Sequence, residues 1–253
     1  MFAFKCVPAL AAPEDVWEIK QFTDHFGPTS MLISADAMKF VSNGGNLVII
    51  SRAPTWKVIA YNKQENVGLE IPLAEWPSNG LRMFKGKTEM LNEKPSIYFD
   101  PLLKVNVLQR ILPVHGAFYG NNDPAIFRAA EKKQMQSMHL NVSTNIPINE
   151  QQKSVLHGVY SLPYCGGFPL ELATVTTDGA TSYIYRTSAI SRKKLDSSVF
   201  TYPSGYKLTK ERFEVYVTSN QKKRFEDFLD AFTDDTKNEN RKSDAKSTGK
   251  LAK

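Results

Sequence analysis

Short apolar runs separated by turn residues constrain the fold of this chain more than any other feature. The clearest case lies at 168–191, where Asp178-Gly179 joins two arms rich in Thr, Val, Tyr and Ile. An Asp-Gly pair between such arms is typical of a two-residue β-hairpin with a type I′ turn. A second hairpin signal, Asn43-Gly44-Gly45-Asn46, separates the apolar runs 31–42 and 47–53. We therefore predict an α+β fold that is mainly antiparallel β.

The first strands are apolar on both faces. Leu47, Val48, Ile49 and Ile50 follow one another without a polar residue. Because side chains alternate across a strand, such a run places apolar groups on both sides of the sheet. We expect the second side to be covered by helices, by a partner or by a ligand.

Three segments have the pattern of helices. The first, at about 100–112, starts with Asp100-Pro101, an N-cap followed by proline at the first helical position, and ends at Pro113. The second, at about 123–138, begins with the same Asp-Pro signal. The third, at about 220–232, carries Phe and Leu at helical spacing. The runs 155–163 and 212–219 are expected to be strands.

Length and composition favour one globular domain. The chain has 253 residues, of which 42% are hydrophobic, and we assign 13–233 to a single domain. Residues 234–253 lack aromatic side chains and are expected to form a disordered basic tail. The net charge of +6 is spread along the chain, which argues against a nucleic-acid partner. No apolar run approaches the ~18 residues of a membrane span.

The first twelve residues suggest export. The segment 1–12 ends in Ala9-Leu10-Ala11, a small-x-small pattern of the kind that signal peptidases cleave. We interpret 1–12 as the remnant of an export signal and predict a periplasmic or secreted location. An ordinary N-terminal segment is the alternative.

Known catalytic and cofactor motifs are absent from the sequence. It contains no G-x-S-x-G, G-x-G-x-x-G, P-loop or H-E-x-x-H. The four histidines are too widely spaced to suggest a metal site. We therefore predict that the protein is not an enzyme and has no cofactor or metal. An enzyme with dispersed residues is the alternative, and a cleft placing His139 or His157 beside a carboxylate or Cys165 would favour it.

The segment 166–210 carries a family resemblance. A Gly-x-Pro-Leu entry at 167–170, a hairpin and the pattern S-x-F-x-x-P-x-G-Y-K at 198–207 resemble the C-terminal half of the bacterial outer-membrane lipoprotein-carrier superfamily. The N-terminal half is similar in its apolar strand that runs into Arg52 and Pro54, here with Ala53 between them. The resemblance covers about half of the chain.

This resemblance implies an unclosed, strongly bent half-barrel sheet whose helices cover the concave side above an apolar cavity. In the carriers, an arginine at the place of Arg52 helps to hold the helical lid. Together with the apolar runs, this leads us to expect the cavity to be lined by eight residues: Leu47, Ile49, Arg52, Trp56, Val58, Leu102, Leu108 and Phe118.

The resulting functional hypothesis is an exported, non-enzymatic protein that binds the acyl chain of a lipid or lipoprotein. Each buried CH₂ group would contribute about 0.8 kcal/mol to binding. The alternative is a structural or interaction protein of the cell envelope with a solid core and an envelope protein as its partner. A large apolar cavity would favour the first hypothesis, and a filled interior the second.

Overall fold

Strands make up just over half of the residues that the structure describes. The structure is a computed structural model that describes residues 13–24, 26–81, 95–113, 135–160, 162 and 166–217. The strands are β1 (Pro13–Thr23), β2 (Gly27–Ile33), β3 (Ala37–Ser42), β4 (Leu47–Arg52), β5 (Val58–Asn62), β6 (Val67–Ile71), β7 (Ser96–Asp100), β8 (Val105–Pro113), β9 (Met135–Ser143), β10 (Phe168–Thr176), β11 (Thr181–Asp196) and β12 (Lys207–Leu208). The α-helices of the described residues are α1 (Trp76–Asn79), α2 (Glu150–Tyr160) and α3 (Arg212–Tyr216).

These strands form one sheet in the order β12-β6-β5-β4-β3-β2-β1-β11-β10-β9-β8-β7. Neighbours are antiparallel except for the short parallel pair β12–β6. The sheet is not closed, because β12 and β7 lie at its two ends. At its centre, β1 and β11 pair from Pro13 opposite Asp196 to Thr23 opposite Tyr185. The prediction of a mainly antiparallel, unclosed sheet is confirmed.

The helices lie on one side of the sheet, which we call the helix face. The rings of Tyr160 in α2 and Tyr185 in β11 are 4.9 Å apart. The Asn62 side chain donates from Nδ2 to the carbonyl of Val215 in α3, at 3.3 Å. Side chains that share a cross-strand row with these residues point to the same side. The helix face therefore carries most of the buried apolar residues of β1 to β6.

The opposite face of β3 to β6 is covered by the chain that follows β11. Phe200 is buried there, and Lys39 donates from Nζ to the Val199 carbonyl at 2.8 Å. Further along, the Tyr202 hydroxyl donates to the Lys57 carbonyl at 2.9 Å. The prediction that the apolar second face of β4 and β5 must be covered is confirmed, and the cover is the chain itself.

The predicted helix at 100–112 is wrong. The local chemistry is as expected, because Asp100 Oδ1 accepts from the backbone N–H groups of Leu102 and Leu103, at 2.8 and 3.0 Å. The turn then stops at Lys104, whose φ is 57°. The next element is β8, in which β-branched residues such as Val105 suit a strand better than a helix. Asp100 thus caps a turn between two strands.

Two more boundaries need correction. Residues 135–138 of the predicted helix 123–138 belong to β9, and the earlier part of that prediction lies outside the described residues. The predicted strand 155–163 is helical up to Tyr160. Its helix α2 is started by a reciprocal cap: Gln152 N–H donates to Asn149 Oδ1, and Asn149 N–H donates to Gln152 Oε1.

The predicted strand at 212–219 is also wrong over 212–216, which form α3. This segment packs against β5 and α1: Val215 is buried and its carbonyl accepts from Asn62 Nδ2, and the Tyr216 hydroxyl donates to the Asn79 carbonyl at 3.3 Å. Tertiary packing therefore overrides the alternating pattern of Phe213, Val215 and Val217. The predicted helix 220–232, the tail 234–253 and the export segment 1–12 lie outside the described residues.

The hairpin between β10 and β11 is confirmed, but its turn differs from the predicted type I′. Thr176 N–H donates to the Ala180 carbonyl, and Gly179 has φ 80°. This is a three-residue loop with glycine in the left-handed position, the next most common hairpin connection. A bulge near Leu172 then restores the pairing of Glu171 with Arg186 that a two-residue loop would have given.

Candidate functional site

An open cavity of about 290 Å³ lies on the opposite face of the sheet, at the β7 end. It is bordered by β1, the β7–β8 turn and β9 to β11. Its lining combines apolar and polar side chains: Phe22, Tyr98, Asp100, Leu102, Leu103, Val107, Asn141, Leu170, Glu171, Arg186, Thr187 and Ser188. We regard it as the candidate functional site because small-molecule sites are concave and mostly apolar, with a few placed polar groups.

A row of four polar side chains runs across the strands at this cavity, and three of them, Asn141, Glu171 and Arg186, line it. Gln109 donates from Nε2 to Asn141 Oδ1 at 3.1 Å, and Asn141 donates from Nδ2 to Glu171 Oε1 at 3.0 Å. Glu171 Oε2 then lies 3.4 Å from Nε of Arg186. Each residue is directly opposite the next in the strand register, so four adjacent strands build the row.

The carboxyl group of Glu171 has a raised pKa. Burial raises its pKa, although Arg186, His139 and the hydrogen bond from Asn141 each act to lower it. The pKa of Tyr98 is also raised, mainly by burial and further by the nearby Glu171 and Asp100 carboxylates. A half-buried carboxyl beside one guanidinium gives the cavity a polar end that could fix the orientation of a bound molecule.

Exposed apolar side chains form the rim of the same cavity. Leu102 is 88% exposed, Phe22 is 57% exposed and Tyr98 is 41% exposed. Large apolar groups that remain in water and cluster around a cavity mark a binding surface more often than single exposed residues do. The cavity is therefore amphipathic, with an apolar rim and charged groups at its floor.

Three of the residues predicted to line a cavity are packed in the core. Leu47, Ile49 and Val58 point to the helix face, and none is more than 1% exposed. They contact other buried side chains of one large cluster that also includes Trp76 of α1. Among the described residues, these three fill the interior.

The other predicted residues are dispersed. Trp56 is buried in the β4–β5 connection, where its carbonyl accepts from Ser51 Oγ at 2.7 Å. Arg52 is partly buried, and its backbone N–H donates to the Tyr202 hydroxyl at 3.3 Å. Leu108 packs partly buried against the core, and Leu102 lines the cavity. Phe118 lies outside the described residues. The structure does not bring this predicted set together.

Sequence reasoning missed Phe22, Tyr98, Asn141, Glu171 and Arg186. One signal could have indicated the last two: Glu171 is the charged residue inside the apolar run of β10, and a hairpin centred on Asp178-Gly179 pairs it with Arg186. The contribution of Phe22 was not accessible in this way, because it depends on the long-range pairing of β1 with β11.

A second opening, of about 420 Å³, lies on the helix face where α2 begins. Trp17, Ile33 and Gln152 line it, and the Arg192 guanidinium lies 5.6 Å from the centre of the Trp17 ring. Its charged groups, Asp15 and Arg192, are largely in solvent, with side chains 47% and 60% exposed. We therefore favour the first cavity, whose carboxyl group is half-buried.

The pair formed by Ser137 and His139 bears on the alternative that this protein is an enzyme. His139 lies close enough to Glu171 to influence its pKa, and His139 Nε2 is 3.2 Å from Ser137 Oγ. A serine–histidine pair near a carboxylate is the beginning of a nucleophilic site. Neither Ser137 nor His139 lines the cavity, however, so the pair does not face the space where a substrate would bind. Within the described ranges, no group of three or more His, Cys, Asp or Glu side chains could hold a metal ion.

No helix in the described part of the chain has the length and apolar character needed to cross a membrane.

Comparisons with other proteins provide little additional information. No family model matches the chain, and no curated protein matches it. Among the solved structures that match, an uncharacterized conserved protein from Thermus thermophilus is similar at a TM-score of 0.31 and 10% identity, over 79% of this chain and 91% of that chain. A likeness at this level carries no argument. The resemblance to lipoprotein carriers therefore stays a prediction.

Proposed function

We propose that this protein is a non-enzymatic binding protein for an amphipathic molecule with an acyl chain, held in the cavity at the β7 end of the sheet. The observation that carries the proposal is the pairing of an apolar rim, formed by Phe22, Tyr98 and Leu102, with the half-buried carboxyl of Glu171 and its exposed partner Arg186. Acyl methylenes would leave water against the rim, and the polar group would contact the floor.

The size of the cavity limits what it can hold. At about 290 Å³, it lies at the lower limit of the roughly 300–1,000 Å³ range of small-molecule pockets. A single chain segment with its head group fits this volume better than the several chains of a lipoprotein. Export to the periplasm belongs to this proposal. The site itself differs from the one that the carrier resemblance implies, because this cavity lies on the face opposite the helices and not beneath them.

The proposal is tested by titrating the full chain, purified without detergent, with a fluorescent fatty acid. The double variant Phe22→Asp/Leu102→Asp places charge on the rim and removes two of its apolar side chains. We expect this to cost at least about 1.4 kcal/mol of binding free energy, which weakens binding by roughly tenfold or more. Leu208→Asp is the matched control: Leu208 is 62% exposed on β12, away from the cavity.

Native mass spectrometry of the same preparation provides a second readout. A stoichiometric acyl lipid that the rim variant loses and the control keeps would support the proposal. Equal binding by all three proteins, or no uptake by any of them, would rule out this cavity as the acyl-chain site.

A second candidate function is an envelope interaction protein without a small ligand. The tight burial of Leu47, Ile49 and Val58 favours it, because these positions were expected to line an open cavity. This function predicts an apo mass and a protein partner that co-purifies with the full chain from the cell envelope.

A further inference from the structure

The strand β7 forms an exposed edge of the sheet. Within the described residues it pairs with β8 alone and stands last in the strand order. Four of its five residues are exposed, including Ile97 at 70% and Phe99 at 59%. An edge strand presents unpaired backbone N–H and C=O groups, and this edge adds large apolar side chains on both sides.

The usual protection of an edge strand is missing from β7. Proteins use lysines, prolines, bulges or very short strands to keep such edges from pairing with another strand. The strand contains neither lysine nor proline, and its pairing with β8 runs without a register shift from Ser96 to Asp100. The other end of the sheet differs, because β12 has only two residues and one of them is Lys207.

We propose that β7 pairs antiparallel with β7 of a second copy, centred on Tyr98. In this register Ile97 lies opposite Phe99 of the other copy, and Ser96 lies opposite its Asp100. Apolar side chains thus meet each other, and a hydroxyl donor meets a carboxylate acceptor. The pairing is two-fold symmetric, so it closes a dimer and uses up both edges.

The residues that flank β7 restrict the register. Pro95 precedes the strand and Pro101 follows it. Moving the centre by one residue in either direction places one of these prolines opposite Ile97 or Phe99, and proline cannot donate to the ladder. The centred register alone pairs all five residues without a proline. Because Tyr98 also lines the cavity, the dimer would place the two cavities on either side of its two-fold axis.

Analytical ultracentrifugation of the full chain over a wide concentration range tests whether the chain dimerises through β7. The double variant Ile97→Lys/Phe99→Lys sets lysines opposite one another, and it should raise the dimer dissociation constant by roughly tenfold or more. Leu208→Lys is the matched control, an equally exposed leucine at the other edge, and should still dimerise. A wild-type chain that is monomeric throughout, or a lysine double variant that dimerises normally, overturns the proposal.

Disulfide trapping tests the register independently of affinity. With Cys6 and Cys165 replaced by serine, Tyr98→Cys should form a linked dimer on oxidation. Directly opposite Cβ atoms in an antiparallel pair are about 4.5–5.5 Å apart, which is close to disulfide geometry. Ser96→Cys, which faces Asp100 of the other copy, should not link. Linkage of Ser96→Cys without linkage of Tyr98→Cys contradicts the centred register.

Discussion

The ring of Tyr206 occupies the space that a side chain at Gly68 would need. A Cβ atom on Gly68 would lie 2.2 Å from Cδ2 of Tyr206. The ring is held in place because it stacks near Tyr61, with centroids 6.3 Å apart, and because its hydroxyl donates to Glu70 Oε1 at 2.9 Å. Gly68 therefore allows the chain after β11 to lie flat on the opposite face of β5 and β6.

From this relationship we expect Gly68→Ala to lower the free energy of unfolding by about 1–3 kcal/mol, the usual cost of overpacking. Urea unfolding measures the change. A double-mutant cycle with Tyr206→Ala serves as the control, because Gly68→Ala should lower the free energy of unfolding much less once the ring is removed. An equal cost in both backgrounds would show that the Tyr206 contact is not the cause.

The buried network around Gln21 leads to a second prediction. Gln21 Nε2 donates to the Pro169 carbonyl at 2.9 Å and to Thr187 Oγ1 at 3.0 Å, and its Oε1 accepts from the Tyr160 hydroxyl. Tyr160→Phe leaves Oε1 buried without that donor and should cost about 1–3 kcal/mol. Tyr183→Phe, at an exposed position, should change stability little. Thermal unfolding compares the two variants, and similar losses would contradict the network.

The raised pKa of Glu171 leads to a prediction with a defined sign. Because burial raises the folded-state pKa above the unfolded value, the ionised carboxyl destabilises the fold at neutral pH. Glu171→Gln should therefore be more stable than the wild type at neutral pH, by at most about 1 kcal/mol since the exposed Arg186 partner offsets part of the gain. The difference in free energy of unfolding between the variant and the wild type should shrink as the pH falls through the folded-state pKa of Glu171 towards its unfolded-state pKa.

Urea unfolding at a series of pH values measures this effect, with Glu214→Gln at an exposed position as the control. A Glu171→Gln variant that is less stable than the wild type at neutral pH would mean that the ion pair with Arg186 outweighs the burial of the carboxyl.

The cap of α2 leads to a fourth prediction. Asn149 accepts from Gln152 N–H at 2.8 Å and also donates from Nδ2 to the Ala35 carbonyl at 3.1 Å. Asn149→Ala should lower the free energy of unfolding by about 0.5–2 kcal/mol, as for other N-cap losses. Ser154→Ala, within the same helix, should have a smaller effect. If urea unfolding ranks the two variants the other way, the cap is not what fixes the start of α2.

Local turn chemistry explains what the sequence could predict. The strands around Asn43-Gly44-Gly45-Asn46 and Asp178-Gly179 were predictable because short apolar runs and glycine-bearing turns coincide there. The helix predicted at 100–112 was wrong for a related reason. Asp100 makes the same backbone hydrogen bonds in a one-turn connection as in a helix N-cap, so the motif alone does not distinguish a turn from a helix.

The candidate site was less predictable than the fold. Glu171 and Arg186 are neighbours through a local hairpin, but Phe22 reaches them only through the pairing of β1 with β11. The same limit applies to Leu47 and Ile49. Their apolar character indicated burial correctly, yet only the position of α1 and α2 decides whether a buried residue lines a cavity or fills the core.

The pairing of β1 with β11 has a consequence for how the chain folds. Strands β1 to β6 follow one another in space as in sequence, and so do β7 to β11, so each half forms contacts between neighbours in the chain. The β1–β11 pair joins residues more than 160 positions apart, such as Thr23 and Tyr185. Its loop-closure entropy is the largest in the sheet, so we expect the two halves to form early and their joining to limit the folding rate.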